Sequence, residues 1–145
     1  MKYKFKTTRA KSLQMSRVHA TGGKDEIILR KLLWHEGIRY RINDKKLIGK
    51  PDIVIAKYRI VIFIDGEFWH GFEWEKHKPR IKRNREYWIK KIEYNMQHDR
   101  FVNETLKKDG WTVFRFWSKP VLKNPQKYAD IILDYIKKEK RINNE

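Results

Sequence analysis

Two apolar runs, residues 53–56 and 59–64, are separated only by Lys57 and Tyr58, and no other feature restricts the fold of this chain so tightly. Parallel strands need a crossover of roughly a dozen residues or more, so these runs can pair only as an antiparallel hairpin. The second run, RIVIFI, is nearly unbroken in apolar residues, which predicts a strand buried on both faces. Asp52 opens the first run, Asp65 closes the second, and Glu67, Phe68, Trp69 and His70 follow at once. In a hairpin the start of one strand and the end of the next share an edge of the sheet, so these polar groups should converge there.

Helical and strand signals flank the hairpin. From Lys24 the apolar positions Ile28, Leu29, Leu32 and Leu33 lie on one helical stripe, with Gly37 as a stop signal. Glu26 falls in the first turn of that helix, where an acid can simply complement the dipole. A short strand is expected at 39–41 and a loop through Asn43, Asp44 and Gly49. A long helix is expected over 84–110, with Ile92, Val102 and Leu106 inward and with Asn95 and Asp99 four apart on one face. The segment WTVFRFW reads as a further strand, and after Pro120 the stripe Tyr128, Ile131, Ile132, Tyr135 and Ile136 marks a closing, core-facing helix. The length suits one α/β domain over 1–145, with a basic N-terminal arm (1–20) and a charged C-terminal tail (137–145).

Charge narrows the partner. The 35 Lys and Arg against 18 Asp and Glu leave a net charge of +17, a field that attracts polyanions, so nucleic acid leads. No apolar run approaches the roughly 18 residues of a spanning helix and no signal-peptide pattern opens the chain, so no membrane partner is expected and the expected location is cytoplasmic. The absence of cysteine excludes disulfides and thiolate metal sites, and carboxylate donors favour Mg2+, with Mn2+ as a substitute. Between residues 76 and 91 eight Lys or Arg stand against one Glu, with Tyr87 and Trp88 among them. Such a run can be merely a solvated face, but interleaved aromatics suit phosphate and base contacts, which makes Lys76, Lys78, Arg80, Lys82, Arg83 and Arg85 candidate DNA-binding residues. His70 would suit a general base because its ordinary pKa is near neutrality, although a lone His is more often structural.

Taken together, GKPDIVIAKYRIVIFIDGEFWHG, then EYWIKKIEYNMQHDR, then GWTVFRFW resemble the very short patch repair (Vsr) endonucleases and their homing-endonuclease relatives, from about Arg9 to Ser118. The resemblance implies a restriction-endonuclease-like PD-(D/E)xK fold, a mixed central sheet flanked by helices. It also implies roles for particular residues. Asp52 matches the metal-binding Asp, with the main-chain carbonyl of Ile64 as a second ligand; His70 matches the general base and Glu26 the acid that pairs with it. Asn95 and Asp99 fall where polar residues hold metal-bound water. Phe68, Trp69 and Trp88 match aromatics that wedge into the DNA stack, and Met15 matches an arm residue entering from the other groove. The sequence departs from the pattern where the repair enzymes carry structural zinc: Glu67, Phe72, Trp74 and Lys119 occupy those positions, so zinc is not expected. Asp65 stands where those enzymes have a His, and Asp65 with Glu67 would, as a hypothesis, add metal ligands.

The resulting expectation is a Mg2+-dependent endonuclease acting on double-stranded DNA, either a Vsr-like nick at T:G mismatches in DNA repair or a homing or restriction-type cut. A non-catalytic DNA-binding module with a decayed site would share the charge but has little reason to concentrate acids beside phosphates. An RNA target fits duplex-wedging aromatics less well. No small-molecule cofactor is expected, and nothing in the residues points to a helper protein.

Overall fold

The computed structural model describes residues 23–143; the basic arm with Met15 lies outside the described residues. Helix α1 (Lys24–His35) buries Leu29 and Leu33 completely and ends where expected. Gly37 takes the left-handed conformation (φ +84°), and the Ile38 N–H returns to the Leu33 carbonyl at 3.0 Å, which closes the helix end on itself.

Strand β1 (Arg41–Ile42) pairs antiparallel with β2 (Ile53–Ile55), and β2 pairs antiparallel with β3 (Ile60–Asp65). The hairpin is therefore present, with shorter arms than the apolar runs suggest. Ala56–Tyr58 form one turn of 3-10 helix, and Arg59 follows at φ +53°, so the reversal uses four residues before β3 can start. After β3 come two short helices, α2 (Glu67–His70) and α3 (Trp74–His77), and then the long α4 (Arg85–Lys108). The chain returns as β4 (Thr112–Trp117), parallel to β3 in the register Phe63↔Arg115 and Asp65↔Trp117. The sheet order is β1-β2-β3-β4.

Beyond β4 the sequence suggested one closing helix, and the fold has two, α5 (Ser118–Lys123) and α6 (Pro125–Asn143). Pro125 explains the break: it disfavours helical geometry at Asn124 but suits the first turn of a new helix. Helix α6 runs through most of the stretch read as a tail, although its apolar stripe stops at Ile136.

Side-chain alternation distributes the core over both faces of the sheet. Ile53, Ile55, Ile60 and Ile62 pack with Leu29 and Leu33 of α1, Val121 of α5 and Ile132 and Ile136 of α6. Val54, Val61 and Phe63 pack with Val102 and Leu106 of α4. This is the mixed sheet flanked by helices of a restriction-endonuclease-like fold. Among the described residues no helix is long and apolar enough to cross a membrane.

Candidate active site

The hairpin register brings Asp52, just before β2, beside the end of β3. The Ile64 N–H donates to Asp52 Oδ2 at 2.7 Å. In an extended strand the N–H and C=O of one residue face the same neighbour, so the Ile64 carbonyl is directed to the side of Asp52. Burial pushes the Asp52 carboxyl up to about 7; the Ile64 hydrogen bond opposes this, and the charges of Glu26, Asp65 and Asp25 add to it. A carboxylate, a carbonyl and surrounding negative charge form a hard-oxygen site that a divalent cation would neutralise, so these residues fit Mg2+ or Mn2+.

Across this edge, α2 carries His70 and α4 carries its partner. His70 Nδ1 lies 2.6 Å from Asp99 Oδ2. Burial works against protonation of His70, but the Asp99 hydrogen bond and the charges of Asp65 and Asp99 prevail and raise its pKa above 6.5. With the Nδ1 proton directed at Asp99, the lone pair of neutral His70 is on Nε2. Asn95, one turn before Asp99, donates from Nδ2 to the Trp69 carbonyl at 2.9 Å and ties α2 to α4. The backbone at Gly71 (φ +73°) comes so near Met96 that a Cβ would collide with its sulfur. Glycine allows that approach without moving Met96, and the left-handed backbone there favours glycine as well.

The Glu26–His70 pairing implied by resemblance is thus corrected: Asp99 holds the imidazole. The reason is placement, since α1 packs on the opposite face of the sheet from α4. Glu26 is buried near Asp52, accepts from Asn43 Nδ2 at 3.4 Å and lies 3.5 Å from Arg30 Nη1. Asp25 beside it accepts from Ser118 Oγ at 2.6 Å, which joins α1 to α5.

Of the two additional acids, Asp65 reaches the site and Glu67 turns away. Glu67 Oε2 accepts the Lys119 N–H at 2.8 Å in the first turn of α5. Phe72 and Trp117 make an edge-to-face contact at 5.0 Å in the same region. Asp65 groups with His70 and Asp99, their ligand atoms all within 4.8 Å of one another. Both Asp65 oxygens are also 3.0 Å from Arg115 Nη1. Burial raises the Asp65 pKa, while His70 and Arg115 pull it down and Asp99 adds to the rise.

Sequence reasoning missed Arg115, Asn103 and Asp25. The signal for Arg115 was present: one cation inside an aromatic strand must find an acid or lose its hydration uncompensated.

The aromatic residues form one patch at the start of α4. Phe68 is 46% exposed and meets Trp69 and Trp88 edge to face at 5.7 and 5.2 Å. Trp88 is only 4% exposed, beneath Phe68, Trp69 and Tyr87. In this structure it supports the exposed Phe68, which is the aromatic that faces outward. In the basic run, Lys76, Arg80, Lys82, Arg83 and Arg85 are exposed. Lys76 Nζ lies 3.4 Å from Glu73. Lys78 Nζ donates to Glu93 at 3.0 Å, and Arg85 Nη1 donates to the Lys78 and Ile81 carbonyls at 2.7 and 3.0 Å, so these two shape the segment as well as charging it.

Residues 4–76 match the family model described as DNA mismatch endonuclease Vsr. The chain is 53% identical over 108 residues to the type II nicking enzyme V.HpaIIP of Haemophilus parainfluenzae, covering 74% of this chain and 77% of that protein. It is 48% identical over 116 residues to the type II nicking enzyme V.NmeDIP of Neisseria meningitidis serogroup C, covering 80% and 77%. Identity to the DNA mismatch endonuclease Vsr of Escherichia coli (strain K12) is 34% over 125 residues, covering 86% and 78%. A chain so matched in sequence, with an acidic hairpin edge facing a His–Asp pair, belongs to the Vsr family of DNA endonucleases.

Proposed function

We propose that this enzyme nicks one strand of double-stranded DNA beside a T:G mismatch, in DNA repair in the cytoplasm, and leaves 5′-phosphate and 3′-hydroxyl ends. The observation that carries the reading is the His70–Asp99 hydrogen bond of 2.6 Å at the same sheet edge as Asp52, two residues from the exposed Phe68. The homologue names, nicking enzymes and a mismatch endonuclease, favour a nick and a mismatch.

Asp52 and the Ile64 carbonyl would hold Mg2+, or Mn2+ in its place. When bound, the cation supplies charge neutralisation at the scissile phosphate and acidifies bound water. His70 Nε2 takes a proton from the attacking water, whose oxygen bonds to phosphorus as the bond to the 3′-oxygen breaks, and the departing 3′-oxygen takes a proton from solvent to become the 3′-hydroxyl. Asp99 holds the imidazole in the required tautomer and stabilises the imidazolium that forms. Asn95 keeps the α2 turn at the right distance. Phe68, supported by Trp69 and Trp88, enters the stack, and the unstacking costs a few kcal/mol per step, offset by contacts to the basic segment.

The test compares cleavage of a T:G-mismatched duplex library with its matched counterpart, with Mg2+ and with EDTA. Single-strand nicks in the mismatched set alone, lost with EDTA and with Asp52→Ala, support the reading. Metal-dependent cleavage of matched duplexes instead would show a restriction or homing-type enzyme. Duplex binding with no product in either set would show a binding module.

A further inference from the structure

We propose that Arg115 is a positioning residue of this site, keeping Asp65 as its ion-pair partner and outside the metal's ligand set, so that Asp99 is the acid that orients His70. This rests on the reading of His70 as the base.

The guanidinium is fixed on three sides. Arg115 lies in β4 opposite Phe63, with its Cζ 4.0 Å above the Phe63 ring. Its Nε donates to Asn103 Oδ1 on α4 at 2.6 Å. Its Nη1 lies 3.0 Å from each Asp65 oxygen and 3.5 Å from Asp99 Oδ1. The side chain is 17% exposed, so these contacts are made where water competes little.

The consequence for His70 follows from the two acids beside it. Asp65 Oδ1 is 3.8 Å from His70 Nδ1, and Asp99 Oδ2 is 2.6 Å away. Two carboxylates so near one ring nitrogen repel each other and compete for its proton. Arg115 removes the competition by engaging both oxygens of Asp65, and it steadies Asp99 through the oxygen that does not face His70. A carboxylate held in this way also has fewer lone pairs to offer a cation, which leaves Asp52 and the Ile64 carbonyl as the protein's ligands. An open cleft of about 270 Å3, lined by Asp65, His70, Asp99, Arg115 and Trp117 among others, adjoins the group.

Three readouts test this on the whole chain. In 15N-histidine NMR, neutral His70 should be protonated on Nδ1 and bare on Nε2 in the wild type, and Arg115→Met should hold the ring as imidazolium to higher pH, because two uncompensated carboxylates then face Nδ1. Single-turnover nicking of a cleaved duplex should fall about 10- to 100-fold in Arg115→Met, while duplex affinity in EDTA stays within about threefold. Arg115→Lys should recover part of the rate, and Asp65→Asn added to Arg115→Met should recover more. In Mn2+ binding followed by electron paramagnetic resonance, Asp65→Asn should keep wild-type affinity and Asp52→Asn should lose it. Weaker Mn2+ binding by Asp65→Asn would overturn the proposal, as would an unchanged His70 titration in Arg115→Met or a loss of affinity in place of rate. If Arg115→Met does not fold, Arg115→Lys and Asn103→Ala decide by the same His70 titration and rate measurements. Nicking that survives His70→Ala would refute the base assignment instead, a different result from any failure at Arg115.

Discussion

Replacing Asp52 by Asn should stabilise the metal-free protein at alkaline pH while ending catalysis. In the folded chain this carboxyl is pushed up to about 7, chiefly by burial, against an ordinary value of 3.8. The group is raised, so its contribution to stability is complete below about pH 3.8 and is lost as pH rises through about 7; above that, the folded state carries the full penalty of a buried charge among Glu26, Asp65 and Asp25. A gap of roughly three pH units, at about 1.36 kcal/mol each, sets a ceiling of about 4 kcal/mol, and local relaxation reduces the expected gain to ~2–3 kcal/mol. Asn removes the charge and keeps an oxygen to accept the Ile64 N–H. For a domain of this size the melting temperature should rise ~5–10 °C at pH 8 in EDTA and change little near pH 4. Adding Mg2+ should stabilise the wild type at pH 8 and leave Asp52→Asn where it was. Thermal melts of both proteins at the two pH values, with EDTA and with Mg2+, check this. An Asn variant no more stable than wild type at pH 8, or equally more stable at both pH values, would refute the reasoning.

Other consequences can be measured directly. Because the His70 pKa is raised, the active neutral imidazole becomes the main form only at a higher pH than for a free imidazole, so single-turnover nicking should rise with pH through that higher range; Asp99→Asn should shift the rise to lower pH and cut the plateau rate about 10- to 100-fold. The same pairing contributes stability that is complete below the unfolded value and is lost as pH rises through the folded one. Trp88→Ala should cost ~3–5 kcal/mol in denaturant melts because the ring is buried, whereas Phe68→Ala should cost less than ~1 kcal/mol and lower nicking more than stability. Duplex binding, measured in EDTA across a salt series, should weaken steeply, and changing Arg80, Lys82 and Arg83 to Gln should flatten the slope by about one unit for each phosphate that is no longer neutralised. A slope unchanged in that triple variant would remove the basic segment from the DNA interface.

Much of the site's frame was legible because it is local. Two apolar runs with so short a link can only form a hairpin, and a hairpin must bring Asp52 and Asp65 to one edge; the Ile53↔Ile62 register does so. Gly37 stopped a helix because the left-handed conformation it supplies is a property of that residue. The four-residue spacing of Asn95 and Asp99 on α4 set them on one face, and both reach the α2 turn. The cation in WTVFRFW also needed an acid, a signal that the reading of that segment as a strand left unused.

Which acid it met, only the tertiary structure decided. The site has several carboxylates within a few ångströms, and their partners are separated by 29 residues between His70 and Asp99 and by 50 between Asp65 and Arg115. Such pairings depend on how α4 and α1 pack on opposite faces of the sheet, a sum of many apolar contacts that no spacing rule contains. That packing gave His70 to Asp99 and not to Glu26, tied Glu67 to the start of α5, and put Trp88 beneath Phe68. By itself the sequence determined that acids, an imidazole and aromatics would meet at one sheet edge, because strand register and helical period are local. The division of work among them is set by distances of 2.6 to 3.8 Å across the fold, and distances of that kind arise only when the core closes.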